Sequence, residues 1–254
     1  MKRRTMIQVV AMVVVAFVAT ALAYAEEVHL NGATTVIDRV IMPYKDAVEK
    51  KTGYKLELVG NGTGKGLVDV HEGRCDASLV SEPLEIAIAA AKVAGKDVDI
   101  NKLKFNVVAH DEIMFIVHPS NSVSSLTWEQ LRDIHTGKIK NWKEVGGKEM
   151  TITVYSDTVT GGTRAMIKRV VMGDADYAAS VMALTAVKKV ADMVAADPAG
   201  IGGLGKGFVD SRVKVVQSKK LERPLGFVTV GAPSAKVKAV IDAYSAAVKK
   251  SGLM

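Results

Sequence analysis

The stretch LTWEQLRDIHTGKIKNWKEVGG, Leu126 to Gly147, carries a helix whose start signal is complete. Thr127 stands as N-cap with Gln130 three positions on, a pattern in which each side chain satisfies a backbone donor of the other residue, so a helix is expected over 128–135. Upstream, 112–117 reads as a strand that stops at the His118-Pro119-Ser120-Asn121 turn. Downstream come a strand over 151–155, a loop over 156–164 and a helix over 163–172. A long Ala- and Val-rich helix over 177–196, closed by Asp197-Pro198, is expected next. Strands alternating with helices imply an α/β sandwich with a largely parallel sheet.

The alternation continues in both directions. Toward the N-terminus, 28–30, 55–59 and 77–80 read as strands, the last ending at Ser81. Val36, Ile37, Val40, Ile41, Tyr44 and Val48 recur at helical spacing over 36–51, with Pro43 expected to kink or divide that helix. A short helix covers 67–72, and Pro83 suits the first turn of an Ala-rich helix through Lys92. Toward the C-terminus, 213–217 and 225–230 read as strands and 234–249 as a terminal helix. There is no repeat and no low-complexity linker.

Four stretches bring a small-residue turn up to a helix start: Gly32-Ala33-Thr34-Thr35, Gly60-Asn61-Gly62-Thr63-Gly64, Ser78 to Pro83, and Thr160-Gly161-Gly162-Thr163-Arg164. Helix starts leave backbone N–H donors free and carry partial positive charge, and Gly, Ser and Thr let an oxygen-rich ligand approach the backbone. Four together point to an anion held by neutral dipoles. At roughly 1.5–3 kcal/mol for each charge-assisted hydrogen bond, a handful reaches the roughly 8 kcal/mol of micromolar binding. Capture, rather than chemistry, is the expected task.

The chain begins Met1-Lys2-Arg3-Arg4, runs through an apolar stretch from Val9 to Ala23, and reaches Ala23-Tyr24-Ala25 before Glu26. That is the pattern of a signal peptide over 1–25, cleaved after Ala25; the A-x-A site weighs against the alternative of an uncleaved anchor. Loss of Lys2, Arg3 and Arg4 lowers the formal charge from +7 to +4, and the remaining Lys and Arg are scattered, leaving no nucleic-acid footprint. The single cysteine, Cys75, permits no internal disulfide and reads as a buried hydrophobe. The five histidines share no metal-ligand spacing, so neither a metal nor another cofactor is expected. No G-x-S-x-G elbow gives Ser81 or Ser156 a claim to be a nucleophile, so no catalytic residue is assigned. Gly60 to Gly66 fails the Walker A spacing, and Gly200-Ile201-Gly202-Gly203-Leu204-Gly205 matches G-x-G-x-x-G after a helix rather than a strand, so it reads as a loop bridging two lobes.

The 126–147 stretch closely resembles the LT-x-EQL-x-x-I-(F/Y)-x-GKI-x-NW segment of periplasmic phosphate-binding proteins of ABC importers. The other motifs follow in the same order over nearly the whole mature chain: a G-A-T turn, a Gly-rich turn, an Asp-Ala-Ser stretch ending in Pro83-Leu84, and a turn like S-G-T-R. The resemblance implies an α/β, two-lobe type II periplasmic-binding-protein fold with two crossover strands, the ligand closed between the lobes. It places lobe 1 at 26–111 plus 226–254 and lobe 2 at 112–225, with 112–117 and 225–230 as the crossings. It implies an exported, periplasmic, monomeric binding protein for phosphate or a similar oxyanion, with an ABC permease of the inner membrane as partner.

Carried over by position, the resemblance assigns the ligand shell to Thr34, Thr35, Gly62, Thr63, Gly64, Ser81, Thr160, Gly161, Gly162, Thr163 and Arg164. Three departures fall inside that shell. Ser81 aligns with an aspartate of phosphate-specific members and is followed by Glu82, Gly161 replaces a serine, and Tyr155 stands where an arginine often precedes the turn. Phosphate near neutral pH still carries a proton and needs an acceptor, which only Glu82 or Asp157 could supply here. Since the residue before Pro83 is driven extended and neighbours in a strand face opposite ways, Glu82 is expected to turn outward. Lys65 and Arg164 are the candidate cations. Two other readings stay open: a non-transport binding or sensing protein on the same fold, and an exported hydrolase.

Overall fold

The computed structural model describes residues 26–251; the expected signal peptide lies outside the described residues. β1 (Glu27–Gly32) buries Val28 and Leu30 and leads into α1 (Thr34–Val36). The helix continues as a π segment, Ile37–Ile41, and a 3-10 turn, Met42–Tyr44, before α2 (Lys45–Thr52). Pro43, which cannot donate to the ladder, sits at that division. β2 (Lys55–Val59), α3 (Thr63–His71), β3 (Ala77–Val80) and α4 (Leu84–Val93) complete a βαβα run. β1 pairs in parallel with both β2 and β3, so all three strands end at one edge of the sheet.

β4 (Leu103–Val117) is much longer than the segment read from sequence. Val108 and Ala109 pack with Val28, Leu30 and Phe227, while Ile113, Phe115 and Val117 pack with Leu131, Trp142 and Ile201. One strand therefore serves two cores. α5 (Trp128–His135) starts with the expected capping box: Thr127 Oγ1 accepts from Gln130 N at 3.2 Å, and Gln130 Oε1 accepts from Thr127 N at 2.9 Å. β5 (Thr153–Ser156) and α6 (Gly162–Met166), extended by a π segment, Ile167–Val171, follow.

The long helix expected over 177–196 is not there. β6 (Met182–Ala183) adds a short parallel strand to the edge of β5, and only α7 (Lys189–Ala196) is helical. The exposed edge of β5 claims that backbone, with Leu184 N donating to Ser156 O at 2.9 Å, and local helix propensity loses. The glycine motif is also not a loop. It forms β7 (Gly200–Gly205), buried throughout, between β4 and β5. A Cβ on Gly202 would meet Val190 at 2.3 Å, so α7 lies against a strand that has no side chain there to hold it off.

β8 (Lys214–Val216) pairs with the end of β4, and β9 (Glu222–Val230) runs antiparallel between β3 and the first part of β4. α8 (Ala235–Ser251) returns over the first core through Val237, Val240 and Tyr244. The sheet order is β2-β1-β3-β9-β4-β7-β5-β6, with β8 on the far end of β4. β4 and β9 are the two strands shared between lobes, which is the type II periplasmic-binding architecture.

Candidate functional site

The turns of the first lobe lie together because the parallel strands β1, β2 and β3 end together, the usual place for a ligand in an α/β sheet. Ala33 N donates to Leu79 O at 2.8 Å and Gly62 N to Gly32 O at 2.9 Å, which locks the first two turns to each other and to β3. Asp69, buried on α3, accepts from Asn31 Nδ2 and Asn61 Nδ2, both at 2.8 Å, and so tethers the Gly-rich turn to the end of β1. The second lobe meets this edge directly, with Gly64 N donating to Thr160 O at 3.1 Å across the lobes. Lys188 on the second lobe pairs with Asp38 on the first at 3.4 Å. The two lobes stand closed.

Glu82 is at the centre, fully buried, and the expectation that it turns outward is corrected. Strand alternation stops at Val80; residues 81–83 form a bend, where a period of two has no force, and both Ser81 and Glu82 turn in. Glu82 Oε2 accepts from Ser81 Oγ at 3.0 Å, Ser81 N at 3.1 Å and Thr63 Oγ1 at 3.2 Å. Its other oxygen, Oε1, is buried without a partner, as is Thr160 Oγ1. From the second lobe Gly162 closes over it: a Cβ there would fall 1.8 Å from Glu82 Oε2 and 2.4 Å from Ser81 Oγ. Burial pushes the Glu82 carboxyl up to about 7, against the lowering effect of the Ser81 hydrogen bond and the Arg223 charge.

Asp157 is the second buried carboxylate. Its Oδ1 accepts from Thr158 N at 2.8 Å, and its carboxylate fills the space that a side chain on Gly161 would need. Burial pushes it up to about 6, partly offset by the Thr158 amide and by Arg223. The arginine that both carboxylates feel was not singled out in the sequence. Arg223, on β9, is directly opposite Asp111 on β4, at the point where β4 leaves one core for the other. Its Nη2 and Nε donate to Asp111 Oδ2 at 2.7 and 3.1 Å, and its Nη1 donates to Thr163 Oγ1 at 2.8 Å. A charged pair, Glu222-Arg223 ahead of Pro224, at the start of an apolar strand was the available signal.

Thr63, Ser81, Gly162 and Thr163 thus converge on one buried spot, with Gly62, Gly64 and Thr160 along the contact between lobes. Thr35 is buried and Thr34 half-buried on the adjoining turn, Thr34 against Gly60. The amides of Gly64 and Gly161 are already taken, the latter by Thr158 O at 2.8 Å. Arg164 is drawn to one side: its Nη1 donates to Ser156 Oγ at 3.0 Å and its guanidinium stacks 3.8 Å over Tyr177. It lines a groove of about 650 Å³ between α4 and α6. Lys65 is exposed. Tyr155 donates its hydroxyl to Asp197 at 3.0 Å, away from the turns. Among the described residues no group of His, Cys, Asp and Glu is arranged to hold a metal ion, and no helix is long and apolar enough to cross a membrane.

Residues 19–246 match the model of the PBP superfamily domain. The chain belongs to that family. Within the PBP superfamily it is 26% identical over 185 residues to the phosphate-binding protein PstS of Bacillus subtilis, an alignment covering 71% of this chain and 57% of that one. It is 23% identical over 197 residues to PstS of Borreliella burgdorferi, covering 74% and 66%. The chain therefore spans about half to two thirds of the length of these curated relatives. A phosphate ABC transporter substrate-binding protein of Clostridium perfringens, solved with bound phosphate, superposes with a TM-score of 0.74 at 26% identity, covering 86% of this chain and 92% of that one.

Proposed function

We propose that this PBP superfamily member captures phosphate or a closely related oxyanion between its lobes, as the extracytoplasmic binding component of an ABC importer. The observation that carries the reading is the convergence of turns from both lobes on a buried carboxylate with one oxygen free. Hydroxyls and amides supply the donors, and Glu82 supplies the acceptor that a proton-bearing anion needs and a fully deprotonated one lacks. The phosphate-binding proteins among its relatives, and the bound phosphate of the Clostridium protein, support the same ligand class. Export with cleavage after Ala25, a monomeric state and an inner-membrane permease as partner belong to this proposal, as do the lobe limits and ligand shell set out above.

Thermal unfolding with phosphate, arsenate, sulfate, molybdate and tungstate tests the reading. A ligand at 100 times its Kd adds about 2.7 kcal/mol, so phosphate is expected to raise the Tm clearly and sulfate much less. No shift with any of the five ends it. One observation favours a second reading, a sensing protein on the same fold with a protein partner: donors suited to an anion are already engaged by Glu82 and Asp157.

A further inference from the structure

The anion-binding turns already hold anions of the chain's own. Glu82 Oε2 occupies Thr63 Oγ1, Ser81 Oγ and Ser81 N, while Asp157 occupies the amide of Thr158. The charged groups of this region gather on Arg223. From β9 its charge acts on both Glu82 and Asp157, and two of its nitrogens bind Asp111 of β4. Arg164, the remaining cation nearby, is committed to Ser156 and Tyr177. α3 contributes only the hydroxyl of Thr63, since Lys65 on it is exposed. Three carboxylates, Glu82, Asp157 and Asp111, thus stand against two guanidiniums, the fully buried Arg223 and Arg164, whose charge reaches Asp157. A further anion enters a site that is already short of positive charge, behind lobes that exclude water.

Resting on the proposed capture of an oxyanion, we infer that ligand binding at this site is coupled to proton uptake by Glu82. The proton comes from solvent and no covalent bond between heavy atoms is made or broken. Protonation removes the charge that holds Oε2 on Thr63 and Ser81, so these donors pass to the ligand. With the proton on Oε2, the oxygen that has no partner, Oε1, still accepts from a proton-bearing ligand. The buried position that favours the neutral form sets the working range, the Glu82 carboxyl being pushed up to about 7.

Calorimetric titration of the mature chain with inorganic phosphate tests this, at pH 6 and pH 8, in pairs of buffers of unlike ionisation enthalpy, for wild type and Glu82→Gln. Glu82→Ala repeats the comparison should the Gln variant fail to fold. At pH 8 wild type is expected to take up close to one proton more per anion than the variant. The variant, with no proton to recruit, is expected to bind about 10-fold tighter than wild type at pH 8 and within about 2-fold at pH 6, the ratio for one group a single pH unit above its midpoint. Equal proton counts with parallel pH profiles overturn the inference and leave the capture of phosphate standing. No heat from phosphate with any of the proteins refutes the capture itself, and the coupling with it.

Discussion

Asp111, partly buried, and Glu82, fully buried, both lie near Arg223, yet they are held in opposite ways. Asp111 sits on a crossing strand, directly opposite Arg223 in the ladder, with two guanidinium nitrogens on one oxygen. Glu82 sits in a bend between a strand and a helix, with two hydroxyls and one amide on one oxygen and nothing on the other. A pair built into a ladder can be separated only by opening the sheet, whereas neutral donors on turns can be handed from one oxygen to another at little cost. The crossing strands hold the cleft in shape; the turns do the exchanging. Charge complementarity marks the first region, and a carboxylate without its own cation marks the second.

The comparison breaks first at Arg223. Arg223→Met leaves the partly buried Asp111 without its cation and Thr163 without its donor, and is expected to cost about 3 kcal/mol, read by urea unfolding at pH 7. A loss below about 1 kcal/mol would mean that the pair does not hold the crossing together.

The next effect is the pH dependence of stability. Burial raises Glu82 from 4.5 to about 7, so between those values the native state binds a proton that the unfolded chain does not. Its contribution is fully present below about pH 4.5 and is lost as pH rises through about 7. Glu82→Gln should flatten the stability profile between pH 5 and pH 8 by about 3 kcal/mol relative to wild type, measured as unfolding free energy at each pH. Profiles that stay parallel would place Glu82 in the same class as a solvated carboxylate.

Gly162→Ala tests how closely the second lobe covers the exchanging carboxylate. Its Cβ would fall inside contact distance of Glu82 Oε2 and Ser81 Oγ, and overpacking of this kind costs about 1–3 kcal/mol. In a Glu82→Ala background most of that cost should vanish, a coupling that a double-mutant cycle reads directly. The smallest expected change is Thr63→Val, which removes one of the donors to Glu82 and should cost about 1 kcal/mol. An equal cost in the Glu82→Ala background would show that the hydroxyl serves something else.

Much of the fold was legible because its signals are local. The capping box of Thr127 and Gln130, the division of a helix at Pro43, and the small-residue turns each rest on sterics and hydrogen bonds within a few residues. The 126–147 stretch was specific enough to imply the two-lobe architecture. Reading failed where a distant partner decided the matter. Residues 177–188 look helical by composition, but β6 forms there because the edge of β5 lacked a partner. Gly200–Gly205 looks like a loop, but its missing side chains let α7 and the second core close on a central strand.

The site divides in the same way. Turn chemistry marked the stretches that hold Thr63, Ser81, Gly162 and Thr163, since hydroxyls and bare backbone at helix starts advertise donors wherever they occur, and the family resemblance picked out these positions within them. Only tertiary structure put Arg223 opposite Asp111, 112 positions away, because strand register between β4 and β9 sets that pairing and no local pattern records it. Only tertiary structure turned Glu82 inward, because the bend after Val80 ends the alternation that local reasoning relied on, and packing of Gly162 from the other lobe leaves room for a carboxylate there.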